Sequence, residues 1–316
     1  MAKADKKNKE ENSEKSFAHA HFSWYPGHMA KTKKQIIQDL KLIDVIVEVL
    51  DARIPISSQN PDVKEYSKNK KRVVVLNKSD LADEKETKKW VEYFAQKGIP
   101  AVITESNSGK GINNVLTAIR NVVKDEQEKY LNKGRIGKSI RIMILGIPNV
   151  GKSSFINRIT KKNITQVGNK PGVTRQKQWI RLAEGIELMD TPGILWPKFE
   201  SQEVGLNLAF TGTIKDDILE KTEIAFELLK YLLKNYSKNI IERYKIDEHE
   251  FDTILKSEIE ENDKILQVLE TIAKKRGAIL SGGRIDYEKI SVILLDEFRS
   301  GKLGRITIEQ CKKEKQ

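Results

Sequence analysis

The sequence predicts an α/β fold, a doubly wound and mostly parallel sheet, followed by an all-α C-terminal region. Three observations carry this expectation. Short β-branched runs alternate with helical stretches between residues 31 and 160, the pattern of strands joined by crossover helices. One of those runs delivers a glycine-rich loop that opens into a helix. Beyond residue 200 the β-type patterning stops, and apolar residues recur at helical spacing between charged ones. The expected division is a disordered tail over 1–21, an α/β domain over 22–200, and a helical domain with a basic tail over 201–316.

In chain order, Met1 to Ser16 mixes Lys with Glu and Asp and has no apolar centre, so it reads as a disordered tail and not a targeting segment. An aromatic stretch with a Pro-Gly turn, His21 to Lys31, leads into a helix ending near Leu40. Ile43 to Leu50 is the first strand and ends in Asp51-Ala52-Arg53. A short helix over Asn60 to Asn69 has Pro61 in its first turn. Arg72 to Leu76 is an uninterrupted apolar strand, of the kind covered on both faces. Asp83 caps a helix that Gly98 closes, Pro100 to Thr104 is the next strand, and Gly111 to Glu128 the next helix. Ile140 to Leu145 is the strand before the glycine-rich loop, and Lys161 to Gln176 reads as a loop. Two antiparallel strands follow around Trp179 to Leu182 and Ile186 to Met189. The helical region shows its periodicity over Ile224 to Leu233, Lys264 to Lys275 and Asp286 to Phe298.

Composition narrows the function classes. A chain of 316 residues with 38% hydrophobic and 32% charged residues is long enough for two cores, and it holds no apolar run of membrane-spanning length. The net charge of +12 favours a polyanionic partner, nucleic acid before a membrane surface, against the alternative of lysines spread over a solvated surface. Cys311 is the only cysteine, so an intramolecular disulfide and a cysteine-built metal site are both excluded. This suits a reducing cytoplasm.

Gly146-Ile147-Pro148-Asn149-Val150-Gly151-Lys152-Ser153 matches G-x-x-x-x-G-K-S, in the strand–loop–helix context that such a match requires. Backbone N–H groups from Asn149 through Ser154 would cradle phosphates, Lys152 would reach the β- and γ-phosphates, and the Ser153 hydroxyl would hold Mg²⁺. Asn77-Lys78-Ser79-Asp80 sits at a strand end and selects the base. A carboxylate at Asp80 accepts from guanine N1–H and the 2-amino group, whereas adenine offers an acceptor at N1 and no such amine. Ser106 and Asn107, after the next strand, are candidates for backbone contacts to the guanine oxygen. Asp190-Thr191-Pro192-Gly193 supplies a carboxylate for Mg²⁺ and a Gly193 N–H for the γ-phosphate, and Thr174 is preferred over Thr165 for the remaining metal contact.

Ile194 follows that glycine, and neither it nor Leu195 can orient an attacking water. Either hydrolysis is slow unaided or the water is placed from elsewhere. His28, an imidazole on a Pro-Gly loop, is the best internal candidate for that catalytic task, the alternative being a structural histidine near a helix start. Asn149 is either a ligand for a monovalent cation such as K⁺ or a residue of simple loop packing. In the helical region Lys274, Lys275, Arg276, Arg284, Arg299, Lys302 and Arg305 alternate with glycines, a combination suited to phosphate-backbone contacts with RNA or to a solvated face.

The motifs run in the order guanine specificity, guanine contact, phosphate loop, switch I, switch II, a rotation of the usual order. With Trp24 to Lys31 and the Gly301-Lys302-Leu303-Gly304-Arg305 ending, the chain resembles the ribosome biogenesis GTPase A family of circularly permuted GTPases over residues 22 to 309. The resemblance implies a circularly permuted P-loop GTPase domain in a cytoplasmic protein that binds GTP and GDP. It implies a factor for assembly of the large ribosomal subunit, with GTP hydrolysis stimulated by that particle. It also implies a catalytic His28, a potassium-associated Asn149, and C-terminal helices that bind ribosomal RNA, with ribosomal proteins as further partners. A monomer without a membrane partner is expected. The competing expectation is a nucleotide-gated binding module that acts on a protein or anionic membrane and hydrolyses GTP incidentally.

Overall fold

The computed structural model describes residues 35–68, 70–133, 138–163, 179–182, 185–189, 201–214 and 220–311. Among them, the strands β1 (Val45–Asp51), β2 (Lys71–Asn77), β3 (Ala101–Ile103), β4 (Ile140–Leu145), β5 (Trp179–Leu182) and β6 (Ile186–Met189) form one sheet in the order β3-β2-β1-β4-β6-β5. Every residue of β1 is buried, as a largely apolar strand is when both faces of a parallel sheet are covered, and its one mid-strand charge, Glu48, is paired with Arg72. All pairings are parallel except β5 with β6, the expected antiparallel pair, in which Trp179 stands opposite Met189.

The strand side chains sort by parity onto the two faces. Val45, Val47 and Val49 join Val73, Val75, Ile142 and Ile144 beneath α3 (Ile112–Leu131) and α4 (Lys152–Asn163), meeting Ile112, Val115, Ile119 and Phe155. On the other face Ile46 meets Val63 of α1 (Pro61–Tyr66) together with Ile36 and Leu40. Leu50, Val74 and Leu76 meet Trp90 and Phe94 of α2 (Glu84–Gln96). The sheet is therefore doubly wound. The caps follow the sequence signals: Asn60 accepts from Asp62 N and Asp83 from Glu86 N, each at 2.9 Å, and Gly98 lies past α2 at φ +70°.

From residue 201 on, the described chain is helical: α5 (Gln202–Phe210), α6 (Lys221–Asn235), α7 (Ser237–Tyr244), α8 (Glu248–Lys256), α9 (Glu261–Arg276) and α10 (Tyr287–Arg299). α6 is the hub, since its buried Ile224, Leu228, Leu229 and Leu232 face α5, α7, α9 and α10. The stretch expected as a basic tail is, as far as Cys311, seated on the α/β domain. Leu303, Ile306 and Ile308 are buried. Ile306 N donates to Leu81 O at 2.9 Å, and Ile308 N and Glu309 N donate to Arg53 O at 2.9 and 3.2 Å. An apolar residue at each of these positions lets the backbone leave water while loop carbonyls satisfy it.

Candidate nucleotide site

Parallel strands end their loops on one edge of the sheet, and ligands bind at that edge in open α/β folds. Here the edge gathers Asp51 from β1, Asn77 from β2, the 104–111 loop after β3, and the phosphate loop after β4. Two glycines allow the phosphate loop to settle. A Cβ on Gly146 would lie 2.8 Å from Val49 O, and one on Gly151, at φ +88°, would lie 2.4 Å from Asn77 Nδ2. Neither position admits another residue. Lys152 begins α4, and Ser153 and Ser154 are exposed in its first turn, where N–H groups lack intrahelical acceptors and favour an anion.

Asn77 is 1% exposed and joins the two loops. Its Nδ2 donates to Val150 O at 2.9 Å. Its Oδ1 accepts from Ser106 N at 3.1 Å, Ser106 Oγ at 2.7 Å and Thr104 Oγ1 at 3.2 Å. Asn77, grouped with guanine recognition from the sequence, and Ser106, a candidate there for a backbone contact, thus bond to each other within the protein as a strut. Asp80 and Asn107 are exposed at the same rim. Arg158 on α4 donates from Nη2 to Asn107 O at 2.6 Å, which fixes the guanine-side loop to the helix that carries the phosphate loop.

Lys78 has a left-handed backbone, φ +59°, and its ammonium reaches both Asn149 O at 2.5 Å and Asp51 Oδ2 at 3.1 Å. Asp51 is fully buried. It accepts from Arg53 N at 3.0 Å, Nε at 3.0 Å and Nη2 at 2.8 Å. Burial opposes charge on Asp51, but the Arg53 and Lys78 cations outweigh it and hold the carboxyl well below the usual carboxylate range. Arg53 in turn lies over the Phe298 ring of α10, 5.3 Å from its centroid. Asn149, at φ +61°, donates from Nδ2 to Gly212 O at 2.8 Å, just beyond α5. The phosphate loop and the helical region are in direct contact.

The other predicted residues divide into two groups. His28, Thr165, Thr174, Asp190, Gly193 and Ile194 lie outside the described residues. Of the expected Mg²⁺ ligands, Ser153 is described, and its exposed hydroxyl at a helix N-terminus suits a metal that also binds phosphate oxygens. Among the basic candidates, Lys274, Lys275, Arg284, Lys302 and Arg305 are exposed. Arg276 and Arg299 are instead built into the fold. Arg276 pairs with Glu297 at 2.9 Å over the Tyr244 ring, and Arg299 donates to Ala209 O at 2.8 Å and Phe210 O at 3.1 Å. The loop carrying Arg284 also exposes Ile279 and Leu280, at 44% and 46%.

Comparison with known proteins agrees with this geometry. A model described as 50S ribosome-binding GTPase matches residues 141–276, and one described as RsgA GTPase matches residues 63–200. Ribosome biogenesis GTPase A of Bacillus cereus is 46% identical over 286 residues, covering 90% of this chain and 93% of that protein. The chain belongs to the ribosome biogenesis GTPase A family. The family member of Thermotoga maritima is 32% identical, covering 91% of this chain and 94% of that one. A GDP-bound structure of TM YlqF superimposes with a TM-score of 0.62 at 27% identity, covering 87% of this chain and 98% of that one. A GNP-bound YlqF from T. maritima gives 0.57 at 27% identity, covering 89% of this chain and 98% of that one. Family membership makes the chain a GTP-hydrolysing enzyme of ribosome biogenesis with a circularly permuted G domain. It also accounts for the phosphate loop following the fourth strand.

Asp51, Arg53, Arg158 and Glu309 were not singled out from the sequence as site residues. Asp51 and Arg53 carried a signal nonetheless: two opposite charges at the end of a buried, mostly apolar strand must be paired. Arg158 and Glu309 carried none, because their partners are distant in sequence.

Proposed function

We propose that the chain binds the large ribosomal subunit or its precursor, and that the bound nucleotide sets how tightly it does so. The observation that carries this is the contact of Asn149 in the phosphate loop with Gly212 O at the start of the helical region. A loop expected to hold the phosphates is here bonded to the region that presents exposed Lys274, Lys275 and Arg284. A phosphate-backbone ligand suits those cations. The family model named for 50S binding spans the phosphate loop and most of the helical region. Lys302 and Arg305 extend the basic surface beside α2. Cytoplasmic location and a monomeric state complete the proposal. No helix among the described residues is long and apolar enough to cross a membrane.

In the hydrolytic step, loop N–H groups and Lys152 hold the β- and γ-phosphates where negative charge develops, Asp80 holds the base, and water attacks the γ-phosphorus. The bond from that phosphorus to the β–γ bridging oxygen breaks, so GDP and inorganic phosphate leave. Mg²⁺, held by Ser153 with Thr174 and Asp190, would neutralise charge on the β- and γ-oxygens. His28 is proposed to position the water, and Asn149 to contribute to a K⁺ site next to the phosphates.

Binding of the full-length protein to large subunits, measured with GDP and with a non-hydrolysable GTP analogue, tests the proposal. Tighter binding with the analogue is expected. Equal affinity of the two forms overturns it, because a ligand shifts no equilibrium without differential binding.

A further inference from the structure

The Lys78 side chain is held in an unusual way. Its backbone is left-handed, at φ +59°, a conformation that a residue with a Cβ adopts at a cost and keeps only when its surroundings over-determine it. Its stem passes the phosphate loop, such that a Cβ on Gly151 would lie 3.9 Å from Lys78 Cε. The ammonium is then fixed at two points, Asn149 O of that loop and Asp51 Oδ2 beneath it. The side chain is 24% exposed, so one flank remains open at the rim shared with Asp80. The stem lies against the phosphate loop, and in sequence it precedes Asp80 by two residues.

Asp51 is the carboxylate that pairs with that ammonium, and it is fully buried. Three N–H donors of Arg53 and a fully buried position leave its carboxylate a single orientation. Its strand neighbour in the register is Asn77, the strut between the two loops. Nη1 of Arg53 finds no acceptor among the described residues. Lys78 meets the same Oδ2 that accepts from Arg53 Nη2, so the two cations share that carboxylate oxygen.

We propose that Asp51 is a positioning residue for guanine nucleotide binding, acting through Lys78: it fixes the ammonium so that the lysine stem walls the base side of the site. Asp51 touches no nucleotide. The proposal rests on the assignment of Asn77 to Asp80 as the base-recognition motif.

The test is a double-mutant cycle in the full-length protein with fluorescently labelled GDP. Asp51→Asn is expected to weaken GDP about tenfold or more, the size of one charge-assisted hydrogen bond. The same change in a Lys78→Met background is expected to cost less than about twofold, since the residue through which it acts is gone. An equal loss in both backgrounds, or no loss in folded Asp51→Asn, overturns the proposal. Should Asp51→Asn not fold because Arg53 is stranded, Asp51→Asn with Arg53→Met removes both buried charges, and the same outcomes decide. Asp80→Ala separates the premise: GDP affinity unchanged by it overturns the base-site assignment, whereas a loss there with none at Asp51 overturns the role of Asp51 alone.

Discussion

Replacing Asn77 with alanine should disconnect the phosphate loop from the guanine-side loop. The change removes one bond to Val150 O and three bonds accepted by Oδ1. The Thr104 and Ser106 hydroxyls can rotate to other acceptors, but Val150 O and Ser106 N are backbone groups fixed by the loops that carry them. Each, left unsatisfied, costs about 1–3 kcal/mol, so the total is about 2–6 kcal/mol. Bound nucleotide recovers part of it by ordering both loops. The expected weakening of GDP is therefore about 30-fold or more, equivalent to about 2 kcal/mol, with a lower urea midpoint in the absence of nucleotide. Asn77→Asp sharpens the test. An aspartate still accepts from Ser106 and Thr104 but sets an oxygen against Val150 O, so it should weaken GDP at least as much as alanine does. A GDP affinity within threefold of wild type for both variants would refute the role of Asn77 as a strut.

Three further outcomes are expected. Glu309 accepts from Ile56 N at 2.6 Å, Ser57 N at 2.8 Å, the Ser57 hydroxyl, and Asn207 Nδ2 at 3.3 Å. Glu309→Ala should thus free the C-terminal segment from the α/β domain, read as faster hydrogen exchange at Ile306 and Ile308 with exchange in β1 unchanged. Gly151→Ala should abolish nucleotide binding in a folded protein, because its Cβ meets Asn77 Nδ2 at 2.4 Å; isothermal titration with GDP checks it. Acid should destabilise the protein through Asp51. The folded carboxyl sits below its ordinary value of 3.8, so its contribution is full above about pH 5 and is lost as the pH falls from there. Urea midpoints should fall from about pH 5 to pH 3, and less steeply in Asp51→Asn. Burial raises Glu48 and Glu309, which work in the opposite sense, but both are present in either protein and cancel in the comparison.

The strands, the doubly wound sheet and the nucleotide motifs were legible because each is local. β2 has an apolar run over Val73 to Leu76 and β1 is mostly β-branched and apolar, β5 and β6 match the expected spans residue for residue, and Asp83 and Asn60 cap the helices they precede. The short helices α7 and α8 were not separated from one another, since two turns of helix give little periodicity to read. Side chains whose partners are far away in sequence were the least legible. Arg276 and Arg299 look like any other cation beside a glycine, and only the folded positions of Glu297 and the α5 carbonyls show them to be structural. For the same reason Asn77 read as a base contact. Its four hydrogen bonds go to two segments, Thr104 to Ser106 and Val150, both distant in sequence.

The proposed coupling of the phosphate loop to the helical region predicts that ribosomal particles regulate turnover, and Ile194 leaves no side chain at its own position to orient water. The most direct measurement is GTP turnover by the full-length protein with and without large ribosomal subunits, in K⁺ and in Na⁺. Turnover is expected to be slow alone, to rise at least about tenfold with large subunits, and to be higher in K⁺. A rate unchanged by large subunits in either salt would contradict the account.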